Sequence, residues 1–317
     1  MSFNTSPKIS SVIIVPRNGY VNRLQAVASA AILAEDLGAD FQMCWESQEV
    51  APAPPEMIFG PAFLDQVALS PHEFQVQVGI DYLDVPKFLN EDPRNIFLAG
   101  YEFGEQHFMQ DLRRRIDQLH ETKDLVISAG GHFSIDPTAE ATNERGNWYR
   151  QLSFATEIAT VAKRLIDQHV PYLGLHLRYT DRSHQTPLDR DIKAAILSQV
   201  DKTGINSVFI ASDTAQRRDK WLEVLSSLEL HPWYAESIAI NRSHELAGVS
   251  AMVDWVVLGH ARSSVYFAAS SFGHEAAVMA KTVGISSPLS AHGLTRAQSR
   301  GKEIWKSLMN YPRNHWK

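Results

Sequence analysis

Three short apolar runs in the second half of the chain, Tyr172–Leu177, Ser207–Ala211 and Val265–Ala269, alternate with helical spacing over Leu188–Val200, Ala215–Leu228 and Glu245–Ala261. Short apolar strands separated by helices of this length predict a parallel, doubly wound sheet with helices on both faces. The opening repeats the pattern. Ser11–Pro16 reads as a buried strand, and Leu24, Val27, Ala28, Ala31, Ile32 and Leu37 place a helix from Asn22 that Gly38 stops. Phe41–Trp45 then reads as a second strand, completing a βαβ unit. At 317 residues the chain exceeds what one core comfortably holds. The expected fold class is α/β, with two Rossmann-like domains facing a cleft, residues 1–168 and residues 169–317.

Between these regions the pattern blurs. Ala51–Pro55 reads as a loop and Ile96–Tyr101 as another strand, while Gln106–Leu119 has helical spacing and Leu125–Ala129 is a short strand. The polar stretch Ser134–Asn147 reads as a long loop, either a mobile segment or a domain connection.

Composition excludes several classes. A net charge of −6 with 21% charged residues argues against a basic nucleic-acid binder, so a small anionic ligand would need a local basic site. The lone Cys44 cannot form an intrachain disulfide and reads as a small buried hydrophobe. No apolar run approaches the roughly 20 residues that cross a bilayer, and the first residues lack the build of a secretory signal. The expected location is cytoplasmic, which leaves the sequons at Asn4 and Asn241 as chance matches. Neither G-x-G-x-x-G nor G-x-x-x-x-G-K occurs, which counts against a dinucleotide dehydrogenase or a P-loop NTPase.

Ligands of open parallel sheets bind beyond the carboxyl ends of the strands. Three such places stand out: His176-Leu177-Arg178-Tyr179-Thr180-Asp181, Ser212-Asp213-Thr214 and Ser270-Ser271-Phe272-Gly273. Alternation puts His176 and Arg178 on one face of their strand end. The arginine offers a permanently charged fork suited to a diphosphate, and the histidine a ring donor. An Arg178–Asp181 surface pair beside a satisfied core histidine is the competing reading. Ser270 and Ser271 precede a helical stretch from His274 to Ala280, at an end that attracts anions, although a serine N-cap would look the same. Asp254 lies in a run that is apolar nearly all round, where an ionised carboxylate needs a partner. The paired N–H groups of a guanine base would serve, as would Arg262 or His260.

These residues fall into four ordered blocks: Gly19-Tyr20-Val21-Asn22-Arg23-Leu24, Gly174–Asp181, Val208–Asp213, and Asp254 with Ala268–Phe272. Together they resemble the superfamily of GDP-fucose-dependent fucosyltransferases of GT-B fold, which includes the protein O-fucosyltransferases, the α-1,6-fucosyltransferases and the bacterial nodulation enzyme. The second block is similar to its G-x-H-x-R-x-x-D motif. The resemblance implies an inverting glycosyltransferase of glycan biosynthesis that needs no metal or other cofactor, with a GDP-sugar donor and a glycan or other hydroxyl acceptor as partners. It implies that Arg178 binds the β-phosphate and assists bond cleavage. His176 and Asp254 would contact the guanosine, Ser270, Ser271 and Phe272 would hold the phosphates, and Gly19 and Asn22 would face the cleft from the other domain. Asp213 matches the acid after the second strand, where a structural role also stays open. Tyr179 occupies the place where the α-1,6 enzymes carry a second arginine, which counts against α-1,6 linkage. Asp189-Arg190-Asp191, a D-x-D match to metal-using transferases, falls in the first turn of an expected helix, where acidic residues are favoured anyway. A transferase using another nucleotide sugar and a non-catalytic binder of the same fold remain alternatives at this point.

Overall fold

Parallel strand pairing organises both halves of the chain. The computed structural model describes residues 9–45, 47–85, 95–98, 114, 123–133, 139–179, 186–236 and 244–290. The first sheet holds β1 (Ile9–Pro16), β2 (Asp40–Met43), β3 (Asn95–Leu98) and β4 (Lys123–Ala129) in the order β2-β1-β4-β3. All three of its pairings are parallel. Residues Val12 to Val15 of β1 are buried, as a central strand of β-branched residues requires. Helix α1 (Tyr20–Leu37) makes the crossover from β1 to β2. Gly38 ends it at φ 62°, where the N–H of Gly38 meets the carbonyl of Glu35 and that of Ala39 meets Ala34.

Two short helices occupy part of the region the sequence left unordered, α2 (Pro61–Val67) and α3 (Pro71–Val78). Each has proline in its first turn, where the missing N–H costs nothing. Ser70 and Glu73 close a capping box on α3: Ser70 Oγ accepts from the Glu73 N–H at 3.2 Å and Glu73 Oε2 from the Ser70 N–H at 2.8 Å. The stretch read as a loop over Ser134–Asn147 is corrected over its described residues: α4 (Ala139–Gln151) is helical. Its buried face carries Arg145 and Tyr149 in place of an apolar stripe, so hydropathy could not reveal it. A further unforeseen helix, α5 (Thr156–His169), follows. The expected helix over Gln106–Leu119, Arg114 apart, lies outside the described residues, as do Thr180 and Asp181.

The second sheet contains β5 (Leu173–Leu177), β6 (Ser207–Ser212), β7 (His231–Trp233), β8 (Ser264–Phe267) and β9 (Ser287–Leu289), ordered β7-β6-β5-β8-β9 with every pair parallel. The two edge strands are three residues long, too short to leave a periodic signature. Around this sheet lie α6 (Asp189–Thr203), α7 (Ala215–Ser226), α8 (Glu245–Leu258) and α9 (Ser271–Met279). The last begins at Ser271, ahead of the expected His274, so that Ser270 is its N-cap.

A continuous apolar core links the halves. Leu24, Val27 and Ile127 from the first half belong to the same buried cluster as Tyr149, Ile158, Trp255, Ala276 and Met279. Helix α5 packs along α8, and α4 along α9. Gly146 makes the second contact close, since a Cβ there would stand 2.6 Å from the Val278 carbonyl oxygen. Among the described residues no helix is long and apolar enough to cross a membrane.

Candidate functional site

The carboxyl edge of the second sheet carries His176, Arg178, Asp213 and the turn Ser270-Ser271-Phe272. Strand β5 carries His176 and delivers Arg178, which is half-buried, immediately beyond its end. Asp213, just past β6, fixes that exit: its two carboxylate oxygens accept the Tyr179 N–H at 3.0 and 3.1 Å. The acid therefore holds the backbone next to Arg178. The Tyr179 ring lies 4.4 Å beneath the Arg217 guanidinium.

His176 is buried, and its ring stacks on Phe272 at 4.9 Å and 20°. That contact joins the strand end to the first turn of α9. Gly273 permits it, because a Cβ there would fall 2.4 Å from Tyr266 Cβ and 3.0 Å from His176 Nδ1. Ser270 occupies the N-cap of α9, yet its side chain makes no capping bond, and its enclosed Oγ has no partner among the described residues. The N–H groups of the first turn thus keep no side-chain acceptor at the positive end of the helix, beside buried Ser271.

Asp254 sits in α8 with neither of the partners the sequence offered. His260 Nδ1 lies 2.8 Å from the Val256 carbonyl, and Arg262 is exposed. Among the described residues its carboxylate makes no hydrogen bond and no ion pair. Burial pushes it up to about 8, and the field of Arg218 offsets this only in part. Arg218, in α7, bonds Asp219 Oδ1 through Nε at 3.0 Å, and its guanidinium lies 4.0 Å over the ring of Tyr234, the residue after β7.

From the first half, Gly19 is the N-cap of α1, and a Cβ on it would meet nothing within 4 Å. Asn22 is half-buried, with Oδ1 enclosed and unpaired among the described residues. Arg23, fully buried, holds the turn: Nε donates to the Asn18 carbonyl at 2.9 Å, Nη2 to Gln48 Oε1 at 3.0 Å, and the guanidinium stacks 4.7 Å from Trp45. Tyr20 takes the Ala53 N–H on its hydroxyl at 2.8 Å and reaches across to α8. Gly248 leaves room for it there, since a Cβ would lie 2.5 Å from that hydroxyl.

One group the sequence reading missed ties the two halves behind the site. Arg145 of α4 meets Glu275 of α9 at 2.7 and 3.1 Å, both side chains being buried. The Tyr149 hydroxyl donates to Glu275 Oε2 at 2.8 Å, and His274 Nδ1 lies 2.9 Å from Oε1. Burial alone would raise the Glu275 carboxyl, but Arg145 and His274 hold it well below the usual carboxylate range. The only sequence signal was the spacing of Arg145 and Tyr149, four apart on one helix face. The D-x-D acids lie in the first turn of α6 as expected, Asp189 paired with Lys220 and Asp191 with Arg190 at 3.4 Å. Among the described residues no cluster of three or more His, Cys, Asp or Glu could hold a metal.

No protein-family model matches the chain, and no curated protein matches it by sequence. Solved structures do match. NodZ alpha-1,6-fucosyltransferase co-crystallized with GDP superposes with a TM-score of 0.55 at 17% identity, covering 84% of this chain and 91% of that one. Fucosyltransferase NodZ from Bradyrhizobium gives 0.54 at 18% identity, covering 84% and 92%. POFUT1 in complex with GDP gives 0.50 at 15% identity, covering 92% and 100%. At such identities the likeness is one of fold, and the chain has the two-sheet α/β architecture of GT-B type seen in those fucosyltransferases.

Proposed function

We propose that the chain is an inverting glycosyltransferase that moves fucose from GDP-fucose to a hydroxyl of a glycan or another acceptor, without a metal. The observation that carries this reading is the His176–Phe272 stack, which draws the strand end bearing Arg178 against a helix N-terminus whose cap makes no side-chain bond. Loss of the diphosphate as an oxocarbenium-like centre forms requires negative charge on the β-phosphate to be stabilised. Arg178 takes that role, with the first-turn N–H groups of α9 and the hydroxyls of Ser270 and Ser271. His176 and Asp254 hold the guanosine, and Gly19 and Asn22 face the sugar from the first half. The fold likeness to structures holding GDP or GDP-fucose supports the choice of donor.

A thermal-shift panel of GDP, UDP, ADP and CMP, followed by release of GDP from GDP-fucose, tests the reading. GDP is expected to stabilise the protein most, and GDP-fucose to be turned over. Preference for UDP would reassign the donor, and GDP binding without turnover would make the protein a binder.

A further inference from the structure

Arg218 and Asp254 are two polar groups that keep unbonded atoms among the described residues. Arg218 is the charged group whose field reaches Asp254, yet no ion pair joins them. Arg218 bonds only Asp219, through Nε, which leaves both Nη groups without a partner among the described residues. The guanidinium stacked on Tyr234 offers open donors and the Asp254 carboxyl an open acceptor, and enclosed polar groups without partners are costly unless a ligand meets them. Their positions agree. Arg218 is in the first turns of α7, just past the carboxyl end of β6. Tyr234 leaves the carboxyl end of the neighbouring β7, and α8, which carries Asp254, packs against β6.

We propose that Arg218, its plane set by the Tyr234 ring, is the residue that selects a 6-oxopurine, donating through its Nη pair to O6 and N7 of the base whose N1–H and N2–H face Asp254. The inference rests on the GDP reading above and extends it to the opposite edge of the base. The chemistry fits the donors present. With Nε held by Asp219, the guanidinium presents its two Nη groups end-on, the fork that matches the O6/N7 pair of guanine. Adenine would turn its N6 amino group toward those donors and has no N1–H for the carboxylate, so both residues reject it. A site whose polar groups are left unpaired by the wrong ligand discriminates strongly.

Calorimetric titration of GDP, IDP and ADP into the parent, R218M, R218K and D254N proteins tests this, with circular dichroism confirming that each is folded. IDP keeps O6 and N7 but lacks the N2 amino group. R218M is expected to lose about 5- to 150-fold in affinity for GDP and IDP alike, the range for one bidentate pair, with ADP unchanged. R218K, which keeps charge without the fork, should lose nearly as much. D254N should instead penalise GDP more than IDP. A folded R218M protein that retains the parent ratio of GDP to ADP affinity would overturn the role of Arg218 while leaving the GDP reading intact. A parent protein that does not prefer GDP overturns both.

Discussion

Replacing Asp254 by asparagine separates a ligand-reading carboxylate from a structural one, because the two roles call for opposite changes in stability. The carboxyl is pushed from 3.8 to about 8 by burial, with no hydrogen bond among the described residues to compensate. In the unfolded chain it is ionised at neutral pH, so folding at pH 7 must bind a proton against roughly 3 units of difference, about 4 kcal/mol as an upper bound. The residue keeps partial exposure, and solvent reduces that figure to about 1–3 kcal/mol. Asparagine is neutral at every pH and avoids the cost. D254N is therefore expected to melt higher than the parent in the absence of ligand. Since the folded value lies above the unfolded one, the contribution of Asp254 to the parent's stability is fully present below about pH 4 and is lost as pH rises toward 8, a dependence that D254N lacks. Nucleotide binding should move the other way. The ionised carboxylate is the better acceptor for two N–H groups, so GDP affinity of the parent should climb with pH up to about 8, and D254N should bind about 5- to 150-fold more weakly with that pH dependence gone. Denaturant unfolding and calorimetry between about pH 5 and 9 read both quantities. A D254N protein that unfolds more easily and binds GDP as the parent does would refute the argument and assign Asp254 to a structural contact.

Three further expectations follow from the geometry. R178K should lower turnover of GDP-fucose by about 30- to 1,000-fold, equivalent to about 2–4 kcal/mol of transition-state stabilisation, with GDP affinity changed far less; steady-state kinetics would expose equal rates as a contradiction. R145M should destabilise the fold by about 3–5 kcal/mol in urea melts, since it strands the Glu275 carboxylate. Because Glu275 is held below its ordinary value, its contribution is present above the glutamate range and is lost as pH falls below it. The parent should therefore show a steeper acid limb than E275Q. G248A should cost about 1–3 kcal/mol by pressing on Tyr20, and less in a Y20A background, a coupling that a double-mutant cycle measures.

The three inner strands of the second sheet, β5, β6 and β8, were legible because they are short apolar runs between long helices, whereas the three-residue edge strands β7 and β9 were not. The first half was harder for reasons that differ by element. Pro61 and Pro71 look like breakers in isolation but serve as first-turn residues, and the Ser70–Glu73 capping box was a local signal left unread. Helix α4 hides because what it buries is Arg145 and Tyr149, polar groups satisfied only by Glu275 from a distant part of the chain. The site divides the same way. His176, Arg178 and Ser270 lie at strand and helix ends, where position alone suggests ligand contact. Arg218 and Tyr234 acquire meaning only through the folding of α7, β7 and α8 together, and no spacing announces them.

The bond from Arg145 and Tyr149 to Glu275 also sets a rule for anyone who grafts. The helix at the candidate phosphate end belongs by sequence to the second sheet but is anchored to a helix that precedes it. A chimera cut between α5 and β5 would carry away the glutamate and orphan its counterion. A workable exchange of donor specificity must begin ahead of α4, or transplant all three side chains together.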